Sequence, residues 1–246
     1  MNIIISKIKE KKSLANLEDS YIQYFLNKFL VSNQSIRKKY VSNKLKEKDI
    51  EKIVKGVRNK LNKTYGQFWL DNLDKLESHK STKERINNYS RIYSEIFKII
   101  NVPKVLLDIS AGLNPLSYNF IGNNTYFIAS ELTKFDCKIL SDFFKKENIK
   151  GEVIKLDLFN YKSLPDSDVC FLFKILDLFD NYKLAEKLIQ DIPAKYLVVS
   201  FSTIDVRNRR MNYPRRGWFE RMIERLNYKM SKFETNNEIF YIVKKN

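Results

Sequence analysis

In the first hundred residues, apolar positions recur every three to four places. Tyr21, Phe25 and Phe29, with Leu26 and Leu30, form one stripe. Ile50, Ile53, Val54, Val57 and Leu61 form a second, and Tyr89, Ile92, Tyr93, Ile96 and Phe97 a third. This spacing predicts amphipathic helices. Lys and Arg fill the positions between, and no Gly or Pro interrupts residues 1–55, so polar stretches such as 32–35 read as turns. After Pro103 the pattern changes. Short apolar runs begin at Lys104, Asn124, Glu152, Asp168, Lys195 and Ile239, and helical stretches such as 134–148 and 181–192 separate most of them. Strands alternating with helices predict βαβ units, a mostly parallel sheet and an α/β fold class.

Composition narrows what such a chain can do. Of its 246 residues, 45 are Lys or Arg and 29 Asp or Glu, a formal charge of +16. Residues 1–104 hold 23 of the bases and 11 of the acids, a net of +12, so the helical part carries three quarters of the excess. This predicts a polyanionic partner and an electrostatic footprint on one part of the molecule. Two cysteines, Cys137 and Cys170, exclude a disulfide framework and a four-thiolate zinc site. One histidine, His79, excludes mechanisms that need two, and reads as a surface or turn residue. No apolar run approaches ~18 residues, so no membrane span is expected. The start of the chain lacks a signal-peptide pattern. A cytoplasmic, metal-free protein, monomeric in solution, is expected.

Candidate chemistry follows from the strand ends, because open α/β sheets bind ligands beyond the carboxyl ends of their strands. The first run is followed by Asp108, Ser110, Ala111 and Gly112, with Asn114 just beyond. Small residues there let backbone approach a ligand, and Gly112 tolerates a positive φ. A second and third glycine are missing, so a pyrophosphate cradle is poorly supported. The second run ends at Glu131-Leu132, where an acid can accept from both hydroxyls of a ribose. The third leads to Asp157 and Leu158, an acceptor for an adenine amino group beside an apolar wall for the ring. Three acids at successive strand ends after a small-residue turn is the layout of an S-adenosyl-L-methionine site.

Several motifs then carry a family likeness. Ser81-Thr-Lys-Glu-Arg-Ile, the stripe from Tyr89 to Phe97, and Leu107-Asp-Ile-Ser-Ala-Gly-Leu-Asn-Pro-Leu come first. Phe171-Leu-Phe-Lys-Ile-Leu, Val199-Ser-Phe-Ser, Arg209-Arg-Met-Asn-Tyr and Trp218-Phe-Glu follow. In order over about residues 75–225, the chain resembles the aminoglycoside-resistance 16S rRNA methyltransferases, which methylate N7 of a decoding-site guanine. The resemblance implies a Rossmann-like methyltransferase core over 76–246, behind a basic helical RNA-docking subdomain over 1–75. It implies that Arg85 reaches the cofactor carboxylate and that Lys174 contacts cofactor or target. It also carries over the turn residues, Glu131, Asp157 and Leu158, and names the small ribosomal subunit, through its 16S rRNA, as partner. The sequence departs from the family at the turn, which reads Ser-Ala-Gly. It departs again at Asn208-Arg209-Arg210, where the family has a glycine-containing stretch, so the target nucleotide stays open.

The chemistry is compatible with what the chain lacks. N7 of guanine has a free lone pair and no proton, so its methylation needs alignment rather than a general base. Alignment alone supplies ~7–11 kcal/mol of such a barrier. Methylating an exocyclic amine commonly uses an Asn/Asp-Pro-Pro-Tyr/Phe loop after the fourth strand, where this chain has Phe173-Lys-Ile-Leu. A C5-pyrimidine enzyme needs a cysteine nucleophile, but Cys137 falls in a predicted helix and Cys170 in a strand. Arg37, Lys38, Lys39, Lys60 and Lys63 in the helical part are candidate phosphate contacts. Arg207, Arg209, Arg210, Arg215 and Arg216 form a second basic stretch, beside Tyr213 and Trp218, which could stack on a base. Phe219 reads as core in a helix over 218–226. A same-fold enzyme acting on tRNA or protein, and a non-catalytic ribosome-binding factor, remain open alternatives.

Overall fold

The computed structural model describes residues 3–66, 85–122, 124–179, 181–205 and 209–246. The chain divides into two compact units, residues 1–80 and 81–246. The expected boundary at 75/76, His79 and Arg207 all lie outside the described residues.

The first unit is helical: α1 (Ile3–Lys9), α2 (Asp19–Ser32), α3 (Gln34–Val41) and α4 (Glu47–Leu61). Its core is the apolar face of these helices, with Ile8, Ile22, Leu26, Val57 and Leu61 fully enclosed, joined by Leu17 from the connection between α1 and α2. Burying each such side chain contributes ~1.5–3 kcal/mol. Acids open α4 (Glu47, Asp49) and bases close it (Arg58, Lys60), which complements the helix dipole. Arg58 Nε donates to Ile8 O (3.3 Å), tying α4 to the carboxyl end of α1. The turn expected at 32–35 is a single residue, Asn33, between α2 and α3.

The second unit begins with α5 (Tyr89–Ile100), whose Tyr89, Ile92, Tyr93 and Ile96 are buried. Seven strands follow: β1 (Val105–Asp108), β2 (Tyr126–Glu131), β3 (Gly151–Lys155), β4 (Ser167–Phe173), β5 (Ala194–Ser202), β6 (Lys229–Glu234) and β7 (Glu238–Lys244). They form one sheet in the order β3-β2-β1-β4-β5-β7-β6. The first five are parallel, and β7 runs antiparallel between β5 and β6. The helices α6 (Lys134–Lys146), α7 (Tyr182–Asp191) and α8 (Gly217–Arg225) fall in the intervals between strands. Leu107, Cys170, Leu197 and Val243 lie in one row across β1, β4, β5 and β7, and all four are solvent-free. Such central strands, covered on both faces, read as apolar runs.

One strand escaped the apolar pattern. β6 is almost wholly exposed, pairs only with β7 and carries Lys229 and Lys232. An edge strand guarded by lysines against further pairing has no apolar run to reveal it. At the opposite edge, β3 starts at Gly151 because a Cβ there would stand 1.9 Å from Phe127 O.

Candidate functional site

The chain winds outward from β1 toward β2 and β3, and from β4 toward β5, so the topology switches between β1 and β4. Ligands of such sheets bind at the carboxyl ends beside that switch. Most of the residues expected to bind the cofactor end or follow the strands there.

The turn after β1 is stitched to the end of β2. Ser110 N donates to Ser130 Oγ (3.1 Å) and Ala111 N to Ser130 O (3.0 Å). Gly112 N donates to Glu131 Oε1 (2.5 Å), and Leu132 N to Glu131 Oε2 (3.3 Å). Ser110 and Gly112 both take left-handed backbone, φ 52° and 56°, which folds the turn tightly. For Ser110 that conformation carries strain of the kind that clusters at ligand sites. Glu131 is buried, and burial, with the Asp136 carboxylate as a second cause, pushes its carboxyl above the usual range. The amides of Gly112 and Leu132 pull the other way without restoring it.

Asp108 lies beneath the turn and is also buried. It accepts from Asn114 Nδ2 (2.7 Å). Burial pushes it up to about 7, against the opposing pull of Asn114 and of the Arg85 charge. Asn114 Oδ1 is buried and makes no hydrogen bond among the described residues. Asp157 is two residues past β3, half-buried, and accepts from Phe159 N (2.9 Å). Leu132 follows Glu131 and Leu158 follows Asp157 in the sequence, and both leucines are half-buried.

Across the switch, at the ends of β4, β5 and β7, the electrostatics reverse. Arg85 is buried and donates to Glu238 from Nε (3.2 and 2.9 Å) and Nη2 (2.8 Å). Its guanidinium also lies 4.8 Å from the centre of the Phe173 ring. Lys174 Nζ is 3.5 Å from Glu238, and Ser200 Oγ donates to the same carboxylate. Burial pushes Glu238 up, but the Arg85 and Lys174 charges outweigh it and hold the group below the usual carboxylate range. Lys174 therefore does not trail into solvent. It has left-handed backbone (φ 59°), and its N–H donates to Ser200 O (3.0 Å), which turns the chain out of β4. Sequence reasoning missed Glu238. It opens an antiparallel strand, so it reaches the carboxyl ends of its neighbours from the opposite direction, opposite Ser202.

The basic residues divide differently from expectation. Arg37 and Lys38 on α3 are exposed and make no ion pair among the described residues, whereas Lys39 binds Asp49 (2.9 Å). Lys60 and Lys63 are exposed at and beyond the end of α4. In the second unit, every described arginine of the cluster faces an acid. Arg209 pairs with Asp205 (2.9 Å), Arg210 with Glu234 (3.6 Å) and Arg215 with Glu220. Arg216 is half-buried and binds Asp177 (2.8 Å), Ser202 O and Pro214 O, so it holds the loop in place. Tyr213 is 89% exposed. The Tyr182 ring covers one face of Trp218, with centroids 4.5 Å apart and planes 15° apart. Phe219 is core, as expected. Burial pushes the Cys137 thiol up to about 11 and that of Cys170 well above its ordinary value, so both stay protonated.

This sheet order, with a tight turn after β1 and an acid ending β2, is the fold of S-adenosylmethionine-dependent methyltransferases. The family "Ribosomal RNA methyltransferase (FmrO)" matches residues 73–242, and the chain belongs to it. Among curated relatives, a 16S rRNA (guanine(1405)-N(7))-methyltransferase of Proteus mirabilis is 28% identical over 215 residues, 82% of this chain and 76% of that protein. One of the same name from Micromonospora echinospora is 25% identical over 175 residues, 68% of this chain. That match spans 63% of the Micromonospora protein's length. Among solved structures, the 16S rRNA methyltransferase RmtF in complex with S-adenosyl-L-homocysteine superposes with a TM-score of 0.78 at 18% identity, covering 99% of this chain and 97% of that one. The 16S rRNA methylase RmtB gives 0.76 at 21%, covering 100% and 98%. No described helix is long and apolar enough to cross a membrane.

Proposed function

We propose that the protein transfers a methyl group from S-adenosyl-L-methionine to N7 of a guanine in 16S rRNA. The observation that carries this reading is Glu131. It is a buried carboxylate at the end of β2, and among the described residues its side chain is held by backbone amides, with no cation set against it. A carboxylate so placed has lone pairs left for a ribose diol. The neighbouring residues fit the rest of the cofactor. The unpartnered Asn114 Oδ1 and the Asp108 carboxyl suit an ammonium group, and Arg85 with Lys174 would serve its carboxylate. Leu132, Asp157 and Leu158 suit the adenine, and Ser110, Ala111 and Gly112 let the backbone come close. The bound group would supply a methyl on a positively charged sulfur, and the protein's part is to align the acceptor and exclude water.

N7 needs no base to free its lone pair, which agrees with the absence of a paired general base at the described strand ends. Neither thiol is available as a nucleophile. The basic helical unit would position the RNA through phosphates, with Arg37 and Lys38 foremost, and the loop bearing Arg209, Arg210, Arg215 and Tyr213 would lie nearest the target base. The enzyme would act as a monomer in the cytoplasm, on the 16S rRNA of the small ribosomal subunit.

The test is labelled-methyl transfer to purified small subunits and to free 16S rRNA. It is followed by borohydride and aniline treatment, which cleaves RNA at N7-methylguanine. A single new cleavage site is expected. Label that resists this cleavage, or label found only in tRNA or protein, would overturn the assignment.

A further inference from the structure

The Tyr182–Trp218 stack has features that the proposed methyl-transfer chemistry leaves unused. Trp218 is wedged edge-on against Phe201 (5.9 Å, 80°) and Phe219 (5.8 Å, 79°), both of which are fully buried. It is therefore a fixed wall. Tyr182 lies flat on that wall, yet remains 60% exposed. One face of its ring is covered, so the exposure belongs to the other face and the edge. Tyr182 opens α7, where Asn181 caps the helix by accepting from Lys183 N (2.9 Å), so its backbone is held as well. Lys183 is exposed and makes no ion pair among the described residues. Of the acids in the loop after β4, Asp177 is taken up by Arg216, and Asp180 lies outside the described residues.

A ring packed flat on one face and open on the other is a half-made stack. Completing it requires another flat π-system. The exposed area is one ring rather than a broad apolar patch, which argues against a protein surface as its partner. The ammonium on the next residue points to a ligand that carries negative charge close to a flat ring. An unpaired nucleotide has both.

Building on the methyltransferase reading above, we propose that Tyr182 is the outer layer of a stacking platform for an unpaired base of the RNA substrate, with Lys183 on that nucleotide's phosphate. Trp218 acts through Tyr182 and does not itself touch the base. The platform lies on the side of the sheet where β4 and β5 end, as do Lys174 and the Arg216 loop. It therefore engages RNA close to the nucleotide being modified.

The test is a set of Tyr182 variants, each titrated with 16S rRNA in a direct binding assay and then assayed for methyl transfer to it. S-adenosylhomocysteine affinity and the unfolding midpoint serve as controls for folding. Because Tyr182 is exposed, both controls should hold. Tyr182→Leu and Tyr182→Ala should weaken RNA binding about tenfold, within the range of one stacked base, and raise KM while leaving kcat near its original value. Tyr182→Phe and Tyr182→Trp should bind like the unaltered protein. Lys183→Ala should flatten the salt dependence of binding by about one phosphate contact. A Leu variant that binds as tightly as the original would overturn the proposal. So would a Phe variant as weak as Ala, which would assign the effect to the hydroxyl. The binding assay decides the platform even if no methyl is transferred, so its failure is separable from failure of the methyltransferase reading.

Discussion

The two sides of the strand-end site solve the problem of buried charge in opposite ways. At the ends of β1 and β2, Asp108 and Glu131 are buried carboxyls whose hydrogen-bond donors are amides, and both are pushed up. At the ends of β4, β5 and β7, Glu238 is buried between two cations and a hydroxyl, and is pulled down. The second side has its charges matched before any ligand arrives. The first does not, and an incomplete polar site is where a ligand gains most by binding. The contrast also separates roles: Glu238 fixes Arg85 and Lys174, whereas Glu131 is available to something that arrives.

The sharpest way to break this contrast is to remove Glu238. Glu238→Ala would leave Arg85 buried and unpaired, and should cost ~3–5 kcal/mol of stability. Urea unfolding measures this, and a loss below about 1 kcal/mol would show the pair to be solvated.

The next effect concerns pH. Folding raises Asp108 from its ordinary value of 3.8 to about 7. The folded state therefore binds this proton more tightly than the unfolded chain does. Its contribution favours folding at low pH and is lost as pH climbs from about 4 to about 7, on the order of 4 kcal/mol in all. Asp108→Asn should flatten that part of the stability–pH curve. An unchanged slope would remove Asp108 as its source.

Third, Glu131→Ala should weaken S-adenosylhomocysteine binding ~10- to 100-fold, since it deletes two charge-assisted hydrogen bonds. It should leave RNA affinity nearly intact and stability no lower. Because the carboxylate must be charged to accept from a diol, affinity in the unaltered protein should rise with pH through the raised Glu131 titration. Calorimetry at several pH values checks both statements.

The smallest effect compares the basic regions. Reversing Arg37 and Lys38 should lower the salt slope of RNA binding by about two phosphate contacts. Reversing Lys39, already matched by Asp49, or Arg209, matched by Asp205, should change it less. Equal effects would mean that the surface pairs do not hold in solution, which is common for exposed ions.

What the sequence revealed, and what it hid, follows from the same physics. The strands β1, β2, β4, β5 and β7 announce themselves because burial demands apolar runs, whereas the half-exposed edge strand β3 shows only the short pair Val153-Ile154. β6 is silent because an edge strand must be solvated. The turn, Glu131 and Asp157 were legible because they follow strands whose ends are marked. Glu238 was not, because a residue at the start of an antiparallel strand shares that end of the sheet only through topology. The pairing of Arg210 and Arg216 with acids was equally hidden, since Glu234 and Asp177 reach them from elsewhere in the chain. Likewise, nothing in the spacing of Tyr182 and Trp218 foretells that one ring covers the other.

Gly151 bears on this site from the far edge of the sheet. Its missing side chain lets β3 begin hard against the carbonyl of Phe127. Sliding β3 by one place would bring Glu152, with its Cβ, to that spot and would turn every β3 side chain to the other face. One absent carbon atom thus acts as a mechanical stop for the strand. Its effect is felt at the other end, where the stop determines how far along the sheet Asp157 stands from Glu131.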